Sequence, residues 1–244
     1  MNIVLLDPGE ANADGEVTLL GDRARHLLSV LRVKPSGQVR IGVLDGPQGR
    51  AEVTAIARDS VCLRCVFDQP SPPPGEDTLL LGFARPKVLQ RCLEHATALG
   101  FGKIVLFRSR RVEKSHLSSH ALLPAAIEER LRRGLEQSRR THRPVVHQVL
   151  RFRQLVEEHL PALIPLENRF VADGDAPAEA ALALIPPSPL SLVIGPEGGL
   201  IDHELESFAA NGFQLVRAGR EPLRVETALS YLTGQLRAAR TRSS

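Results

Sequence analysis

The 244 residues of this chain, 43% of them hydrophobic and 24% charged, can bury one large core or two ordinary ones, which excludes a disordered or collagen-like protein. The formal net charge is +3, and arginine supplies most of the positive charge, a balance shared by many soluble enzymes and by proteins that bind nucleic acid. No apolar run is long enough to span a membrane, and the start MNIVLLDPGE lacks the basic segment of a signal peptide. With three cysteines, an odd number, these features predict a cytoplasmic protein without membrane contact.

Residues 1–69 predict a small β-barrel. Four strand-like runs, separated by turn residues such as Asp45-Gly46, lie at 16–20, 37–46, 50–57 and 60–67, and a helix-like run lies at 23–32. Cys62 and Cys65 lie in the last run, where positions three apart point to opposite faces of a strand. Without a second cysteine pair they predict no zinc site, and no metal is expected.

Residues 70–77 are proline-rich and predict an extended linker, and residues 78–244 predict a second domain. Strand-like and helix-like segments alternate through this second part, which indicates a mostly parallel sheet with helices on both faces. The fold class is therefore α/β with a small β-barrel in front. The predicted strands are 78–84, 103–107, 144–149, 168–173, 189–195 and 213–219, and the predicted helices are 87–100, 124–140, 151–160, 177–184, 202–212 and 225–240.

Ligands of parallel sheets bind beyond the carboxyl ends of the strands, where three loops of the last third are expected, at 171–177, 194–201 and 217–226. The middle loop, IGPEGGLI, has no lysine and carries Glu197 among its glycines, so it differs from a Walker A loop. A phosphate would face that carboxylate. A nucleoside without phosphate and with a positive charge suits the loop better, and S-adenosylmethionine has both properties. The alternative is a tight turn from strand to helix.

The loop at 217–226 helps to decide between a cofactor-binding loop and a tight turn. IGPEGGL at 194–200 and AGREPLRVETA at 218–228 resemble two motifs of the RsmE family, the uracil-N3 methyltransferases of small-subunit ribosomal RNA in the knotted SPOUT class. LEQSRRTHRP at 135–144 and ARPKVLQRCLEHATALGFGKIVLFRSRR at 84–111 are similar to two further family stretches. RHLLSVLRVKPSGQVRIGVLDG at 25–46 resembles the family's PUA-like barrel. The likeness therefore extends over both predicted domains.

The resemblance implies a SPOUT methyltransferase domain with a deep trefoil knot, behind a PUA-like RNA-binding barrel. It also implies bound S-adenosylmethionine, a homodimer, and 16S ribosomal RNA or the small ribosomal subunit as substrate. The cofactor role is carried over onto residues of the two glycine loops: Ile194, Gly195, Glu197, Gly198, Gly199, Ala218, Gly219, Leu223, Thr227 and Ala228.

The reaction itself directs attention to two charged residues. N3 of uracil is an imide nitrogen that loses its proton when it attacks the methyl group, and the resulting anion spreads onto O2 and O4. Arg224 is the candidate for holding those oxygens, and Glu226 is the nearest carboxylate that can accept the proton. The alternative for Glu226 is a first-turn residue that stabilises the helix N-terminus.

Dense basic clusters follow the predicted strand at 103–107 and precede the one at 144–149, and we expect them on the ligand-binding edge of the sheet. Arginine matches phosphate, so contacts with the RNA backbone are the expected role, with a solvated basic face as the alternative. The candidate RNA-binding residues are His26, Arg32, Lys87, Arg108, Arg110, Arg111, Arg139, Arg140 and Arg143.

Two other functions remain open from the sequence. A ribose 2′-O RNA methyltransferase of the SPOUT class would have the same cofactor loops but a different product. A non-catalytic RNA-binding assembly factor would bind RNA without the cofactor.

Overall fold

The computed structural model describes residues 2–165, 167–176 and 186–241, and it divides into two compact units. The first unit consists of Met1–Pro74 together with Leu135–Arg143, and the second of Gly75–Gly134 and Pro144–Ser244. The division after Pro74 lies within the linker that the sequence predicts at 70–77. Leu135–Arg143, which the sequence places in the second domain, clusters with the first unit.

Hydrogen bonds explain why this segment belongs to the first unit. The Asn2 N–H donates to the Glu136 carbonyl at 2.8 Å, and the Arg140 guanidinium donates to the Pro73 carbonyl at 3.1 Å. Arg143 forms an ion pair with Asp45, which lies in a turn of the first unit. These contacts link residues far apart in sequence, and local patterns cannot reveal them.

The first unit is built on a curled five-stranded sheet in the order β1-β3-β4-β5-β2. Only β1 and β3 pair in parallel; the other neighbours are antiparallel. Alternate residues of β5, including Cys65, are buried in the core, while Cys62 on the other face is half-buried, as the strand period predicts. The elements are β1 (Val4–Leu6), β2 (Glu16–Leu20), α1 (Gly21–Ser29), β3 (Gln38–Val43), β4 (Gln48–Ile56) and β5 (Ser60–Gln69).

The second unit is built on six parallel strands in the order β11-β9-β10-β6-β7-β8. The strands are β6 (Thr78–Gly82), β7 (Lys103–Phe107), β8 (Val145–Val149), β9 (Arg169–Ala172), β10 (Ser191–Ile194) and β11 (Gln214–Val216). The helices are α2 (Pro86–Ala98), α3 (Lys114–Leu117), α4 (Pro124–Ser138), α5 (Phe152–Gln154), α6 (Leu160–Leu163), α7 (Asp202–Ala210) and α8 (Val225–Thr241). A π-helical turn, Leu155–His159, joins α5 to α6, and the predicted helix at 177–184 lies outside the described residues.

Apolar residues cover both faces of this sheet, as the alternating pattern predicts. On one face Leu79 and Leu192 pack with α2 and α8. On the other face Leu80 and Val193 pack with α7 and the helical segment after β8. The fold is therefore the predicted α/β arrangement with a smaller β unit. No helix among the described residues is long and apolar enough to cross a membrane.

The last helix is attached to the sheet by a buried carboxylate. Asp77, 4% exposed, accepts from Arg237 and Arg240 near the end of α8 and from the Leu190 N–H. Burial opposes ionisation of Asp77, but the Leu190 bond and the two guanidinium groups outweigh it, so the pKa of this carboxyl lies below its usual value. Fixing α8 in this way holds the start of the helix against the carboxyl edge of the sheet.

Candidate active site at the carboxyl edge of the sheet

Because the six strands of the second unit are parallel, the loops that follow them meet at one edge. Two of these loops carry most of the predicted site. We call Gly195–Ile201 after β10 the glycine loop and Arg108–Val112 after β7 the arginine loop. Other residues at this edge follow β6, β8, β9 and β11, at 83–85, 150–151, 173–176 and 217–224.

The glycine loop is a tight turn that only small residues permit. Gly199 has a φ of +72°, a backbone conformation that favours glycine, and its N–H donates to the Pro196 carbonyl at 2.8 Å. A Cβ on Gly82 at the end of β6 would lie 2.6 Å from Cδ of Pro196. Glycine at both positions therefore lets the loop lie directly against the end of the neighbouring strand.

Glu197, the unexpected carboxylate of the glycine loop, has a partner within the protein. Its two oxygens lie 3.0 and 3.3 Å from the backbone nitrogen of Arg85, the residue that caps the N-terminus of α2. A carboxylate is stabilised there by the helix dipole and by the otherwise unpaired N–H. The contact with the cofactor that the sequence predicts for Glu197 stays a prediction, and the structure gives this side chain a second role in joining two loops.

A second carboxylate, Glu204 in the first turn of α7, fixes the other side of the glycine loop. It is 3% exposed and accepts from the Ile201 N–H at 3.0 Å and from the Arg110 N–H at 2.8 Å. Arg111 adds a bond from its guanidinium to the Gly198 carbonyl at 2.9 Å. Ile201 therefore caps α7, and Glu204 connects the glycine loop to the arginine loop.

The loop after β11 leads directly into α8. The Arg224 carbonyl accepts from the Thr227 and Ala228 N–H groups at 3.0 and 2.8 Å, which starts the helix. Arg224 is exposed, and its guanidinium has no polar partner among the described residues. The predicted residues Leu223 and Thr227 are exposed beside it, whereas Val225 turns into the core.

Glu226 lies between α8 and α2, mostly buried, with one carboxylate oxygen 3.4 Å from the Arg91 guanidinium. Burial, together with the negative charges of Glu226 and Glu197, raises the pKa of the nearby Cys92 thiol to about 12. Cys92 therefore stays protonated at neutral pH and is not a nucleophile. Glu197 binds the N-cap of α2 and Glu226 contacts Arg91 in its second turn, so both carboxylates lie beside the start of this helix.

The two glycine-bearing loops fit an adenosyl ligand. Among the described residues, the N–H groups of Glu197, Gly198 and Leu200 and of Ala218 and Gly219 donate to no protein acceptor. A Cβ built on Gly219 would meet no atom within 4 Å, so there is open space in front of that backbone. Unpaired backbone donors without a lysine beside them suit a neutral nucleoside edge better than a polyphosphate.

The predicted RNA-binding residues lie in different parts of the structure. Arg108 and Arg110 follow β7 at the carboxyl edge and are exposed without polar side-chain partners among the described residues. Arg151, which the sequence analysis missed because its cluster is smaller, follows β8 at the same edge and is equally exposed. The backbone N–H of Arg108 donates to the Val149 carbonyl at 3.0 Å, which brings these arginines together.

The second predicted cluster, Arg139, Arg140 and Arg143, is not on that edge. These residues precede β8 and belong to the first unit, so their expected location at the carboxyl edge is wrong. Arg143 pairs with Asp45 through bonds of 2.8 Å, and although burial opposes ionisation, these bonds hold the pKa of Asp45 below its usual value. Arg139 remains exposed, while Arg140 is half-buried against Pro73.

The remaining RNA candidates are split between the two units. Lys87 at the start of α2 and Arg32 in the first unit are exposed, without polar partners among the described residues. His26 near the end of α1 is half-buried, its Nε2 has no hydrogen-bond partner among the described residues, and burial lowers its pKa. At neutral pH His26 is therefore a neutral group and contributes no charge to RNA binding.

The chain combines a smaller β unit with a parallel sheet whose carboxyl edge carries glycine-rich loops and exposed arginines, as expected for an RNA methyltransferase of the SPOUT class. A family model described as an RNA methyltransferase domain matches residues 71–237, and the chain belongs to this family. The ribosomal RNA small subunit methyltransferase E of Treponema pallidum is 29% identical over 93% of this chain and 87% of its own length. The protein of the same name from Bacillus subtilis is 24% identical over 90% of this chain and 91% of its own. The resemblance drawn from the motifs is thus confirmed.

A solved structure shows the same fold. The ribosomal RNA small subunit methyltransferase E of Neisseria gonorrhoeae, bound to S-adenosyl methionine, superposes with a TM-score of 0.76. The two chains are 21% identical, and the superposition covers 98% of each.

Proposed function

We propose that this protein is an S-adenosylmethionine-dependent methyltransferase that modifies N3 of a uridine in small-subunit ribosomal RNA. The observation that carries the proposal is the pair of glycine-bearing loops, whose backbone N–H groups at Glu197, Gly198, Ala218 and Gly219 have no protein acceptor among the described residues. The exposed Arg224 lies in the second of these loops. The names of the relatives support the RNA substrate, and the ligand of the Neisseria structure supports the cofactor.

The residues beside these loops suit transfer to an imide nitrogen. S-adenosylmethionine supplies an electrophilic methyl group when bound. Arg224 donates hydrogen bonds to O2 or O4 of the uracil and stabilises the negative charge that develops as N3 loses its proton. Glu226 accepts that proton, and Arg91 holds its carboxylate in place from α2. Both side chains start from one helix terminus, so their separation is fixed before the substrate binds.

RNA is held by phosphate contacts at the carboxyl edge of the sheet. Arg108, Arg110 and Arg151 offer guanidinium groups with no protein partner among the described residues, and Lys87 adds an ammonium group. In the first unit, Arg32 and Arg139 provide further exposed charges. We assign Arg140 and Arg143 to structural roles because their side chains already bind Pro73 and Asp45.

We also propose that the protein works in the cytoplasm as a homodimer. On α8, Thr227, Tyr231, Gly234 and Ala238 lie at helical spacing on one exposed stripe that begins beside Arg224. Tyr231 is 50% exposed and Leu223, just before the helix, is 40% exposed. A second copy related by a two-fold axis would cover this stripe and place both chains next to the methyl-transfer site.

Mass spectrometry of nucleosides from small-subunit ribosomal RNA tests the proposal. RNA from a strain that lacks the corresponding gene is incubated with purified protein and S-adenosylmethionine, and we expect 3-methyluridine to form. A ribose-methylated product would identify a 2′-O methyltransferase instead. No product, combined with RNA binding and no heat of binding for S-adenosylhomocysteine, would identify an assembly factor.

A further inference from the structure

Glu204 connects two loops that the proposed function uses for different ligands. The glycine loop is the proposed cofactor site, and the arginine loop carries Arg108 and Arg110, which are proposed to hold RNA phosphates. One carboxylate oxygen of Glu204 accepts from the Ile201 N–H and the other from the Arg110 N–H, at 3.0 and 2.8 Å. No other described side chain accepts hydrogen bonds from the backbones of both loops.

A helix cap alone does not account for this arrangement. The bond from the Ile201 N–H satisfies the start of α7 and needs one oxygen of Glu204. The second oxygen accepts a hydrogen bond from the Arg110 N–H of the arginine loop, 94 residues away in sequence. The side chain is 3% exposed, so a missing partner at either end would leave a buried charge poorly compensated. Both loops are therefore fixed by the same group.

Arg111 reinforces the connection from the arginine loop. Its guanidinium donates to the Gly198 carbonyl at 2.9 Å, and a Cβ on Gly198 would lie 3.2 Å from Cβ of Arg111. The middle of the glycine loop is thus connected to the arginine loop through Arg111, and the end of the glycine loop is connected to it through Glu204. A displacement of one loop is transmitted to the other.

We infer that Glu204 is a positioning residue that makes cofactor binding and RNA binding cooperative, because it orders the glycine loop and the arginine loop together. The inference rests on the proposed function. A cofactor that orders the glycine loop removes part of the entropic cost of ordering the arginine loop for RNA. Thermodynamic linkage then requires RNA to tighten cofactor binding by the same factor.

The test measures that coupling factor in the full-length protein. The Kd of S-adenosylhomocysteine is measured by calorimetry with and without small-subunit ribosomal RNA transcribed in vitro. Glu204→Gln keeps the size of the side chain but replaces one accepting oxygen with a donating NH2 group, so one of the two links is lost. Glu206→Gln, an exposed position two residues further along α7, removes the same charge without touching either loop.

We expect the parent and Glu206→Gln to bind S-adenosylhomocysteine more tightly with RNA present. In Glu204→Gln the two Kd values should converge, and the Kd without RNA should rise about tenfold, as the loss of a hydrogen bond to a charged group predicts. If the parent has the same Kd with and without RNA, or if RNA changes the Kd of Glu204→Gln as much as that of the parent, the inference is overturned and the proposed function stands. A parent that binds no S-adenosylhomocysteine overturns both.

A second variant covers the outcome in which Glu204→Gln does not fold. Arg111→Ala changes an exposed side chain and removes the bond to Gly198. In the parent, S-adenosylhomocysteine should slow amide hydrogen exchange in the arginine loop, and in Arg111→Ala this slowing should fall at least severalfold. Slowing that equals the parent's contradicts the inference.

Discussion

Gly198 lies at the centre of the proposed cofactor site, and its missing side chain has a measurable consequence. We expect Gly198→Val to weaken S-adenosylhomocysteine binding at least tenfold, because the new Cβ would lie 3.2 Å from Cβ of Arg111 and its methyl groups would push the glycine loop away from the arginine loop. Calorimetry measures the loss. Ala209→Val, at an exposed position on α7, is the matched control and should bind like the parent. Parent-like affinity in a folded Gly198→Val protein would remove the glycine loop from the cofactor site.

Asp77 shows how one buried carboxylate determines stability. The pKa of Asp77 in the folded protein lies below the ordinary value of 3.8. Its contribution to the free energy of unfolding is therefore present above about pH 4 and is lost as the pH falls through the folded pKa. We expect Asp77→Asn to reduce the free energy of unfolding at pH 7 by about 3 kcal/mol, because Arg237 and Arg240 lose the carboxylate that they pair with. Urea unfolding at several pH values measures this difference, which should shrink below pH 4.

Asp175→Asn, an exposed position in the same unit, is the control for this experiment and should change stability little at any pH. A loss for Asp77→Asn that is as large at pH 3 as at pH 7 would show that the ion pairs with α8 are not its cause.

Whole elements were more predictable than the contacts between them. The patterns that predict β6, β10 and α2 are properties of neighbouring residues, and the structure forms each of these elements close to its predicted bounds. The three-residue strand β1 was missed because it is too short to show a period. The threading of a knot leaves no trace in a local pattern, so that expectation came only from the family resemblance.

The candidate site was predictable where backbone chemistry leaves a signature. Glycine at positions 198 and 199 and the polar start of α8 predict loops between a strand and a helix, and the structure has a loop at both places. The partners of Glu197 and Glu204 were not predictable, because the Arg85 and Arg110 amides lie about 100 residues away and any residue type supplies an amide. Arg143 was assigned to RNA for the same reason: its pairing with Asp45 depends on the tertiary fold.

The two arginine clusters differ in a way that salt dependence can measure. Replacing Arg108, Arg110 and Arg151 with Ala should weaken RNA binding and flatten the plot of log affinity against log salt by about 0.7 to 0.9 per lost phosphate contact. These side chains have no polar partner among the described residues, so the fold should tolerate the change. Replacing Arg140 and Arg143 with Ala should leave the slope unchanged but lower the stability of the first unit, because the Asp45 pair is lost. The reverse result would place RNA on the second cluster.

At the scale of the whole molecule, the exposed stripe on α8 predicts a second copy of the chain. Tyr231 is half exposed, and its neighbours on the stripe, Thr227, Gly234 and Ala238, are small, so another helix can approach closely. We expect the parent to sediment as a dimer at micromolar concentration and Tyr231→Glu to sediment as a monomer, because a carboxylate buried against an apolar surface lacks a partner. The methyltransferase activity of Tyr231→Glu should fall at least tenfold, since the proposed site needs both chains.

Leu123→Glu is the control for the dimer experiment, because it introduces the same charge at an apolar residue that is 49% exposed outside α8. It should sediment and act like the parent. Circular dichroism of both variants separates loss of the dimer from loss of the fold. A monomeric Tyr231→Glu protein that kept full activity would show that one chain carries the whole methyl-transfer site. The stripe on α8 would then have to serve a purpose other than catalysis.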